Sequence, residues 1–517
     1  MLATYRDKSW LQRYKPLVLL AYVAFVFAYA AAFGVFGPYY PTLFSVPIVL
    51  GAIGIIAMLP LTDRRPNRAL APLMFVFIVA LTCWPDYLAI ALPGLPWITL
   101  VRLVALPLAL VFLIDLSSST EMRRELHQAM MVNKVAYVFL IGIAILDVGS
   151  IVLSKNPMHS FNKLVVIFTT CLIPLAVASF VFQKPGRVAV FAKMLLFVAI
   201  FVCLISVQEV RHRQVPWAGH IPSFLAIQDE AVQRILAGAS RAGTNIYRAQ
   251  SRFSTSLGLG EFLGLTLPFI LHMIFSRFSV WIKLTGIASL PLIFWVVLAT
   301  DSRLAAIGMF ASCMMYLLAW AVLRWRSDGM SLFGPAITIA YPIIFAVFMA
   351  ATFVVGRLHG LVWGDGSQDA SNEARKAMYR EGIPMVMKNP IGHGLGMGAS
   401  TLGYRNGAGT LTIDTYYLAV ALETGVLGFI FYYGFFLIIL QKSAFSVLKM
   451  KDRDALFLVP ISMALVNFII SKSVFSNVEN HALVFTMAGI AIALLKRNHD
   501  AVQAELQGQR REALGRA

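Results

Sequence analysis

Long runs of apolar residues dominate the sequence and are interrupted only by polar connections. About fourteen of these runs hold roughly 20 residues, the length that a helix needs to cross a hydrocarbon core about 30 Å thick. Lipid offers no partner to an unpaired backbone amide, and the runs lack the period-two alternation of a membrane barrel, so every span must be helical. We therefore predict an all-α, polytopic membrane helical bundle. The predicted spans are residues 16–35, 44–61, 69–84, 98–114, 135–153, 164–182, 188–207, 257–275, 284–300, 304–323, 332–355, 412–440, 455–471 and 481–495.

The composition excludes a soluble globule, because hydrophobic residues fill 59% of the 517 positions and charged residues only 13%. The spans and loops divide the chain into six parts. These are N-terminal transmembrane helices at 1–207, an arginine-rich loop at 208–256, central transmembrane helices at 257–355, a large loop at 356–411, C-terminal transmembrane helices at 412–495 and a tail at 496–517.

Lysine and arginine in the short loops predict the orientation. The segment before the first span carries Arg6, Lys8, Arg13 and Lys15, and later basic loops fall on the same side. Because positive loops stay in the cytoplasm, we expect the amino terminus inside, and an even number of spans places the carboxyl terminus inside as well. The first apolar run is too long for a signal peptide and lacks a small-residue cleavage site, which predicts a retained helix.

Two long loops on the opposite, outer side break this charge bias. The net charge of +18 is explained only in part by the basic cytoplasmic loops, and the outer arginines indicate that something anionic is handled there. The alternative is contact between these arginines and phospholipid headgroups, since long loops translocate regardless of charge. The loop 208–256 carries Arg211, Arg213, Arg234, Arg241, Arg248 and Arg252, and the loop 356–411 carries Arg357, Arg375, Lys376, Arg380, Lys388 and Arg405.

The spacing of four polar residues before the span at 257 predicts a cationic face. Arg241, Asn245, Arg248 and Arg252 are four, three and four residues apart, so they share one face if the segment is helical. Guanidinium groups match phosphate oxygens in bidentate fashion, which favours a pyrophosphate ligand. A further arginine, Arg303, lies in a turn between two spans, where it could instead pair with Asp301 alone.

The loop 356–411 is predicted to contain an amphipathic helix from Asn372 to about Met387, with Ser371 as its cap and Pro384 as a kink. Its Arg375 and Tyr379 fall on one face. The following segment, Pro390 to Gly396, is too rich in glycine for a helix, and its glycines would let the backbone approach a ligand closely. Within it, His393 is more often a loop residue than a catalyst.

Two carboxylates follow the glycine-rich segment along the chain. Asp414 stands at the mouth of a helix predicted to begin near Thr415, where it could cap the first turn or act as a base toward a sugar hydroxyl. Glu423 lies about half a turn round the same helix, so we interpret it as a buried structural residue near Gly425 and Gly428.

In this order and spacing, the segments resemble the O-antigen ligase and polysaccharide polymerase superfamily over about residues 240–440. The resembling pieces are Arg375, the Pro390 to Gly396 run, Ile413-Asp414-Thr415-Tyr416-Tyr417-Leu418, the Glu423 to Gly428 helix, and upstream Tyr247 to Phe253 and Thr300 to Arg303.

This resemblance implies a metal-independent glycosyltransferase of the bacterial inner membrane, with its active site facing the periplasm. Its donor would be a glycan on undecaprenyl pyrophosphate. It would need no cofactor and no metal site, which agrees with four unpaired cysteines in or beside apolar spans. Membrane lipids, a chain-length regulator and other polysaccharide-export proteins are the expected partners, with no nucleic acid. The expected catalytic residues are Asp414, Arg248 and Arg252, and the expected pyrophosphate- or substrate-binding residues are Arg303, Arg375, Arg241, Tyr416, Tyr417 and His393.

One departure from the family pattern bears on the reaction. Ligases of this family usually carry a His-Asn pair where this chain has Asp414-Thr415. We therefore favour polymerisation of exopolysaccharide or O-antigen repeat units, with ligation of O-antigen to lipid A core as the first alternative. A lipid-linked oligosaccharide flippase is the second, although the sequence shows no internal repeat and few charges inside the spans beyond Arg102.

Overall fold

The computed structural model describes residues 15–36, 51, 54–56, 58–60, 62, 65–91, 97–227, 229–238, 247–327, 332–356, 359, 363, 369–406, 409–448, 450 and 452–515. These ranges are mainly helical, with one short antiparallel ribbon formed by Ala89–Ile90 (β1) and Ile98–Thr99 (β2). The predicted helical bundle is confirmed.

In chain order the helices are α1 (Lys15–Phe36), α2 (Leu70–Cys83), α3 (Leu100–Ser118), α4 (Thr120–Met131), α5 (Lys134–Leu153), α6 (Pro157–Ile167), α7 (Ile173–Val181), α8 (Arg187–His212), α9 (Glu230–Ala237), α10 (Ser256–Phe275), α11 (Val280–Ala299), α12 (Arg303–Ser327), α13 (Phe333–Val354), α14 (Asp369–Lys388), α15 (Gly398–Leu402), α16 (Tyr416–Leu448), α17 (Leu458–Lys472) and α18 (His481–Gly515). A π-helical turn, Phe168–Leu172, joins α6 to α7, and short 3-10 turns lie at Ser223–Leu225 and Arg453–Phe457.

Ten helices of the described ranges are long and apolar enough to cross a membrane: α3, α5, the joined α6 and α7, α8, α10, α11, α12, α13, α16, and α17 with the 3-10 turn before it. Each coincides with a predicted span. Helices α1, α2 and α18 occupy three further predicted spans, and the predicted span 44–61 falls largely outside the described residues. The predicted total of fourteen spans is therefore not confirmed.

The polar loops that were predicted to share one side meet at one end of the bundle. Arg248 Nε donates to the Thr300 carbonyl oxygen (3.0 Å), and the Ser254 amide donates to Glu479 Oε1 (2.9 Å). These bonds join loops that are far apart in sequence. We call this the loop end; it comprises the described parts of residues 84–99, 213–255, 300–302, 355–415 and 473–480.

Helix α10 occupies the centre of the bundle. The most apolar stretch of α10 is 89% buried, whereas that of α13 is only 6% buried. Helix α13 is therefore a peripheral helix that faces lipid. Helices α8, α11, α12 and α17 pack around α10. The residues that lead into α10 therefore lie at the middle of the loop end.

A buried ion pair joins α10 to the last residue of α17. Lys472 Nζ lies 2.9 Å from Glu261 Oε1, and the side chains are 0% and 1% exposed. Ser471 Oγ and Asn480 Nδ2 also donate to this carboxylate (2.6 and 3.0 Å), and Lys472 donates to the Asn477 carbonyl oxygen (2.7 Å). Because partners far apart in sequence satisfy both charges, the pair is tolerated in an apolar bundle.

Candidate functional site

The segment that leads into α10 is an irregular loop, so the predicted helical face of Arg241, Asn245, Arg248 and Arg252 is wrong in the described part. Ser251 has a φ of 53°, a left-handed conformation that a helix does not contain. Arg248 and Arg252 consequently point to different places. Arg241 and Asn245 lie outside the described residues.

Glu209 near the end of α8 holds this loop in shape. Its carboxylate is fully buried and accepts hydrogen bonds from the Gln250 amide (3.0 Å), the Ser251 amide (2.6 Å) and the Tyr247 hydroxyl (2.8 Å). A carboxylate that satisfies two backbone amides can fix an otherwise unfavourable turn. Glu209 therefore determines where the intervening Arg248 is presented, a role that the sequence analysis did not identify.

Arg248 reaches from this loop to the turn between α11 and α12. Besides its bond to Thr300, it donates to the carbonyl oxygen of Asp301 (3.3 Å). Asp301 has a φ of 45°, so this turn too holds a conformation that is rare for residues other than glycine. Ser302 follows in the turn, and Arg303 begins α12.

Arg303 and Arg375 meet at one side chain. Arg303 donates through one terminal nitrogen to Asn372 Oδ1 (3.2 Å) and through the other to the Trp363 carbonyl oxygen (3.1 Å). Arg375 lies one turn along α14 from Asn372 and donates to the same Oδ1 (3.4 Å). Within the described part of the chain, the buried Nε of Arg375 has no hydrogen-bond partner. A buried donor of this kind normally has a partner, and the described residues do not supply one.

Arg248, Arg303 and Arg375 line one cavity of about 300 Å³ at the loop end. Its lining is polar around the arginines and apolar where Leu257 of α10, Ile307 of α12 and Ile470 of α17 contribute. Because guanidinium groups keep their charge near neutral pH, the cavity suits an anion with several oxygens. We call it the arginine cavity; its other lining residues are Leu257, Asp301, Ser302, Leu304, Ile307, Ser371, Asn372, Ile470, Ser473 and Val474.

Arg252 lies elsewhere, buried where other segments of the loop end meet. Its guanidinium is 3.9 Å from the centroid of the Phe253 ring and donates to the Trp84 carbonyl oxygen (3.3 Å). Burial lowers its pKa, and the nearby carboxyls of Asp86 and Glu479 oppose that shift. Burial raises the pKa of both carboxyls, an effect that Arg252 in turn opposes. Arg252 is therefore the nearby counter-charge of two buried acids, Asp86 and Glu479.

Asp414 lies beside the arginine cavity rather than in its wall. Helix α16 begins at Tyr416, so the cap position belongs to Thr415 and the predicted N-cap at Asp414 is wrong. The Asp414 amide donates to the sulfur of Met378 (3.3 Å), which is about one turn of α14 from Arg375. Its half-buried carboxylate accepts a bond from the Thr412 hydroxyl (3.2 Å).

The two tyrosines of this segment point in different directions. The Tyr416 ring is buried against His481, with ring centroids 4.5 Å apart, in the interior of the bundle. The Tyr417 hydroxyl donates to the Ile469 carbonyl oxygen (2.6 Å), next to the cavity residue Ile470. Tyr416 is thus away from the arginine cavity, and Tyr417 fixes α16 against the helix that closes it.

The glycine-rich segment is docked on a break in α16 rather than facing a ligand. The break is at Gly425, whose φ of 75° and ψ of −173° are not helical. The amides of His393 and Gly394 donate to the carbonyl oxygens of Leu422 (2.8 Å) and Glu423 (3.0 Å). The Val426 amide donates back to the Pro390 carbonyl oxygen (3.0 Å). The loop thereby satisfies the backbone groups that the break leaves free.

Glu423 and His393 stabilise this arrangement. The Glu423 carboxylate pairs with Lys163 of α6 (3.1 Å) and accepts from the Gly398 amide (3.4 Å). His393 Nδ1 lies 3.1 Å from the Leu422 carbonyl oxygen. Neither residue lines the arginine cavity. The glycine-rich segment and the Glu423 to Gly428 part of α16 are separated in sequence, but their contacts make them one structural unit.

Replacing Gly392 with alanine is expected to destabilise this unit. Its φ of 99° is strained for other residues, and a Cβ there would lie 2.5 Å from the Glu423 carbonyl oxygen. We expect a loss of about 2 kcal/mol or more, seen as a lower midpoint of thermal unfolding in detergent. Gly403→Ala is the matched control, because its φ of 71° is also left-handed but no atom lies within 4 Å of the added Cβ. Equal midpoints for the two variants would show that the close docking contributes nothing.

The fold and the cavity together define a class: a multi-pass membrane protein with a cluster of permanent positive charges at the end of its helical bundle. The model of the O-antigen ligase family matches residues 288–433. This segment runs from α11 into α16 and contains Arg303, Arg375, the glycine-rich loop and Asp414. Residues 288–433 are therefore similar to the O-antigen ligase family, which confirms the resemblance predicted from the sequence. Among curated proteins, none matches the chain significantly.

Proposed function

We propose that this protein polymerises oligosaccharide repeat units carried on undecaprenyl pyrophosphate. The observation that carries the proposal is the convergence of Arg248, Arg303 and Arg375 on one cavity of about 300 Å³. A pyrophosphate has several oxygens around two phosphorus atoms and needs more than one guanidinium to neutralise it. The apolar part of its lining suits a donor that arrives from the membrane.

The proposed transfer needs the acceptor and donor held in position, and positive charge beside the departing pyrophosphate. The oxygen of an acceptor sugar hydroxyl bonds to the anomeric carbon of the donor as the bond from that carbon to the pyrophosphate oxygen breaks. The electron pair leaves with the pyrophosphate, and the three arginines stabilise the charge that develops there. The hydroxyl proton passes to a base. Since the donor is already activated, the proposed transfer is metal-independent and uses no cofactor.

Asp414 is the proposed base. Its amide donates to the sulfur of Met378, which is about one turn of α14 from Arg375, and its carboxylate is half-buried rather than sealed in the bundle. Arg252 and the structural residue Glu423 are proposed to support the site through the loops they hold, and Tyr417 by fixing α16. A direct role of Arg252 or of Tyr416 in binding would require the substrate to reach the bundle interior.

Asp414→Asn is expected to lower the rate of chain extension by about 10²- to 10⁴-fold, because the amide cannot accept the hydroxyl proton. The measurement is single-turnover extension by the purified variant in lipid. Thr412→Val is the matched control, since it removes the hydrogen bond to Asp414 Oδ1 but keeps the carboxylate. A fully active Asp414→Asn variant would exclude Asp414 as the base.

The loop end is proposed to face the periplasm of a bacterial inner membrane, with both termini in the cytoplasm. One observation supports this orientation. The opposite end gathers short basic connections, which carry Lys184 and Arg277, and positive loops stay in the cytoplasm.

Ligation to lipid A core is the second candidate, favoured by the description of the matched family as O-antigen ligase. One assay distinguishes polymerisation from ligation. Purified protein in lipid vesicles receives undecaprenyl-pyrophosphate repeat units without nucleotide, added metal or lipid A, and products are resolved by size. A ladder of lengthening chains supports polymerisation. A conjugate formed only after lipid A core is added would establish ligation, and transbilayer movement of labelled lipid without either product would establish a flippase.

A further inference from the structure

A small cavity lies inside the bundle between α5, α16 and α18. Its volume is about 40 Å³, and Cys171 of the π-helical turn also lines it. A cavity of this size holds about three water molecules. We call it the polar cavity; the lining side chains that carry oxygen or nitrogen are Asp147, Tyr416, Glu423, Thr424, Tyr432 and His481.

Asp147 brings a buried carboxylate to the polar cavity. It lies six residues before the end of α5, about 9 Å along the helix, so it is within the membrane-spanning part. The residue is 7% exposed, and in the described part of the chain its carboxylate forms no ion pair and no hydrogen bond. An ionisable group at such a depth is costly and usually has a function.

The neighbouring charges do not neutralise Asp147. The charged groups that act on it are Glu423 of α16 and Lys163 of α6. Lys163 is already paired with Glu423, at 3.1 Å. His481 does not supply the missing charge, because burial and the nearby positive charges of Lys472 and Lys163 disfavour its protonated form. Two carboxylates therefore share one basic side chain, and one negative charge is left over in an apolar bundle.

The other polar atoms of the lining suit a small cation and its bound water. His481 is 5% exposed, and its Nε2 has no hydrogen-bond partner among the described residues, while its Nδ1 is 3.3 Å from the Tyr432 hydroxyl. The Thr424 hydroxyl donates to the Val420 carbonyl oxygen (3.0 Å), so its own oxygen remains an acceptor. Thr424 comes directly before the break in α16 at Gly425. Discontinuous spanning helices are a common setting for cation sites.

We propose that the polar cavity binds one small alkali cation, such as Na⁺, at the carboxylate of Asp147. The hydroxyl of Thr424 supplies a further oxygen ligand, and a water on the ion gives His481 Nε2 its partner. A monovalent ion balances the single excess charge, whereas a divalent ion would leave an excess positive charge in the bundle. The cavity has no room for an ion with its full hydration shell. The bound ion ties α5 and α18 to the first turns of α16.

Thermal unfolding in detergent tests this site. The midpoint for the unmodified protein is measured in Na⁺ and in choline at equal ionic strength, and Na⁺ should raise it by several degrees until the site is saturated. Asp147→Asn should abolish this difference. Because asparagine brings no charge to bury, the variant should be at least as stable in choline as the unmodified protein. A carboxylate with only a structural role would lose stability in both solutions, and that result would overturn the proposal.

Asp115→Asn is the matched control. Asp115 is also 7% exposed in a spanning helix, but its carboxylate accepts a hydrogen bond from the Asn67 amide (2.8 Å) and does not line the polar cavity. This variant should keep the difference between Na⁺ and choline.

Binding of radiolabelled Na⁺ is the direct measurement, and in the unmodified protein it needs no variant. It should saturate at one ion per chain, and Asp147→Asn should weaken it by about tenfold or more. An absence of saturable binding would overturn the proposal. A midpoint that varies with pH but not with Na⁺ would do the same, because Asp147 would then hold a proton. None of these measurements uses a glycan donor, so their outcome is independent of the proposed function.

Discussion

Arg375→Ala is expected to reduce chain extension by about 10²- to 10³-fold, the typical effect of removing one preorganised donor from a transition-state site. The arginine has a buried Nε with no partner in the described part of the chain, and it shares Asn372 with Arg303. Its guanidinium is therefore already oriented when the donor binds. The rate of extension per molecule of purified protein in lipid is the measurement.

The same helix provides the control for this prediction. Arg380 lies exposed on α14 and does not line the arginine cavity, so Arg380→Ala removes an equal charge at the same surface. Arg375→Lys keeps the charge but loses the planar fork, and we expect an intermediate rate. Equal losses in the alanine variants of Arg375 and Arg380 would mean that the effect is general electrostatics and not a ligand contact.

Lys472→Met is expected to destabilise the protein by about 3–5 kcal/mol, because it leaves the Glu261 carboxylate buried without its counter-ion. The two side chains are almost completely buried, so water cannot compensate. The measurement is chemical or thermal unfolding in detergent, with the protein monitored for retained helix content.

A second substitution should recover much of this loss. In Glu261→Gln combined with Lys472→Met, neither charge remains, while Ser471 and Asn480 still have polar atoms to bond at position 261. Lys376→Ala, which breaks a pair with Glu373 whose side chains are 74% and 69% exposed, is the surface control and should have little effect. A double variant as unstable as Lys472→Met would contradict the ion-pair explanation.

Hydrophobic run length was sufficient to predict most of the bundle. Each of the ten spanning helices coincides with a predicted run, because a membrane allows few alternatives to a helix of that length. The amphipathic helix of the large loop was also predicted closely, as Asn372 to about Met387 against the observed Asp369–Lys388. Its periodicity is a local property, so a single sequence contains it.

The arrangement of the site was less accessible from the sequence. Periodicity placed Arg248 and Arg252 on one helical face, but Glu209 shapes their segment into a turn through bonds to residues about 40 positions away. The pairing of Glu261 with Lys472 likewise joins two distant helices. Contacts of this kind depend on which helices become neighbours, and one sequence does not show that. A buried acid near the end of a span was nevertheless a usable signal for Glu209.

The glycine-rich segment, Pro390 to Gly396, shows a different limit of the sequence. Its glycines predicted that the backbone could approach a ligand closely, since a glycine has no side chain. The group that approaches here is the protein's own chain, because Gly392 contacts the Glu423 carbonyl oxygen and Gly425 contacts Pro390. Close backbone approach was predicted correctly, and the identity of the neighbour was not.

The break in α16 has a consequence for how the protein enters the membrane. The amides and carbonyls around Gly425 are satisfied by residues 390–394, which precede α16 in the chain. During synthesis these residues emerge before the helix that needs them. If they have already crossed the membrane when α16 arrives, its first turns can be completed at once. The loop would then be in place before the discontinuous helix that docks on it. If the loop crossed the membrane late, the backbone amides and carbonyls around Gly425 would lie in lipid without hydrogen-bond partners.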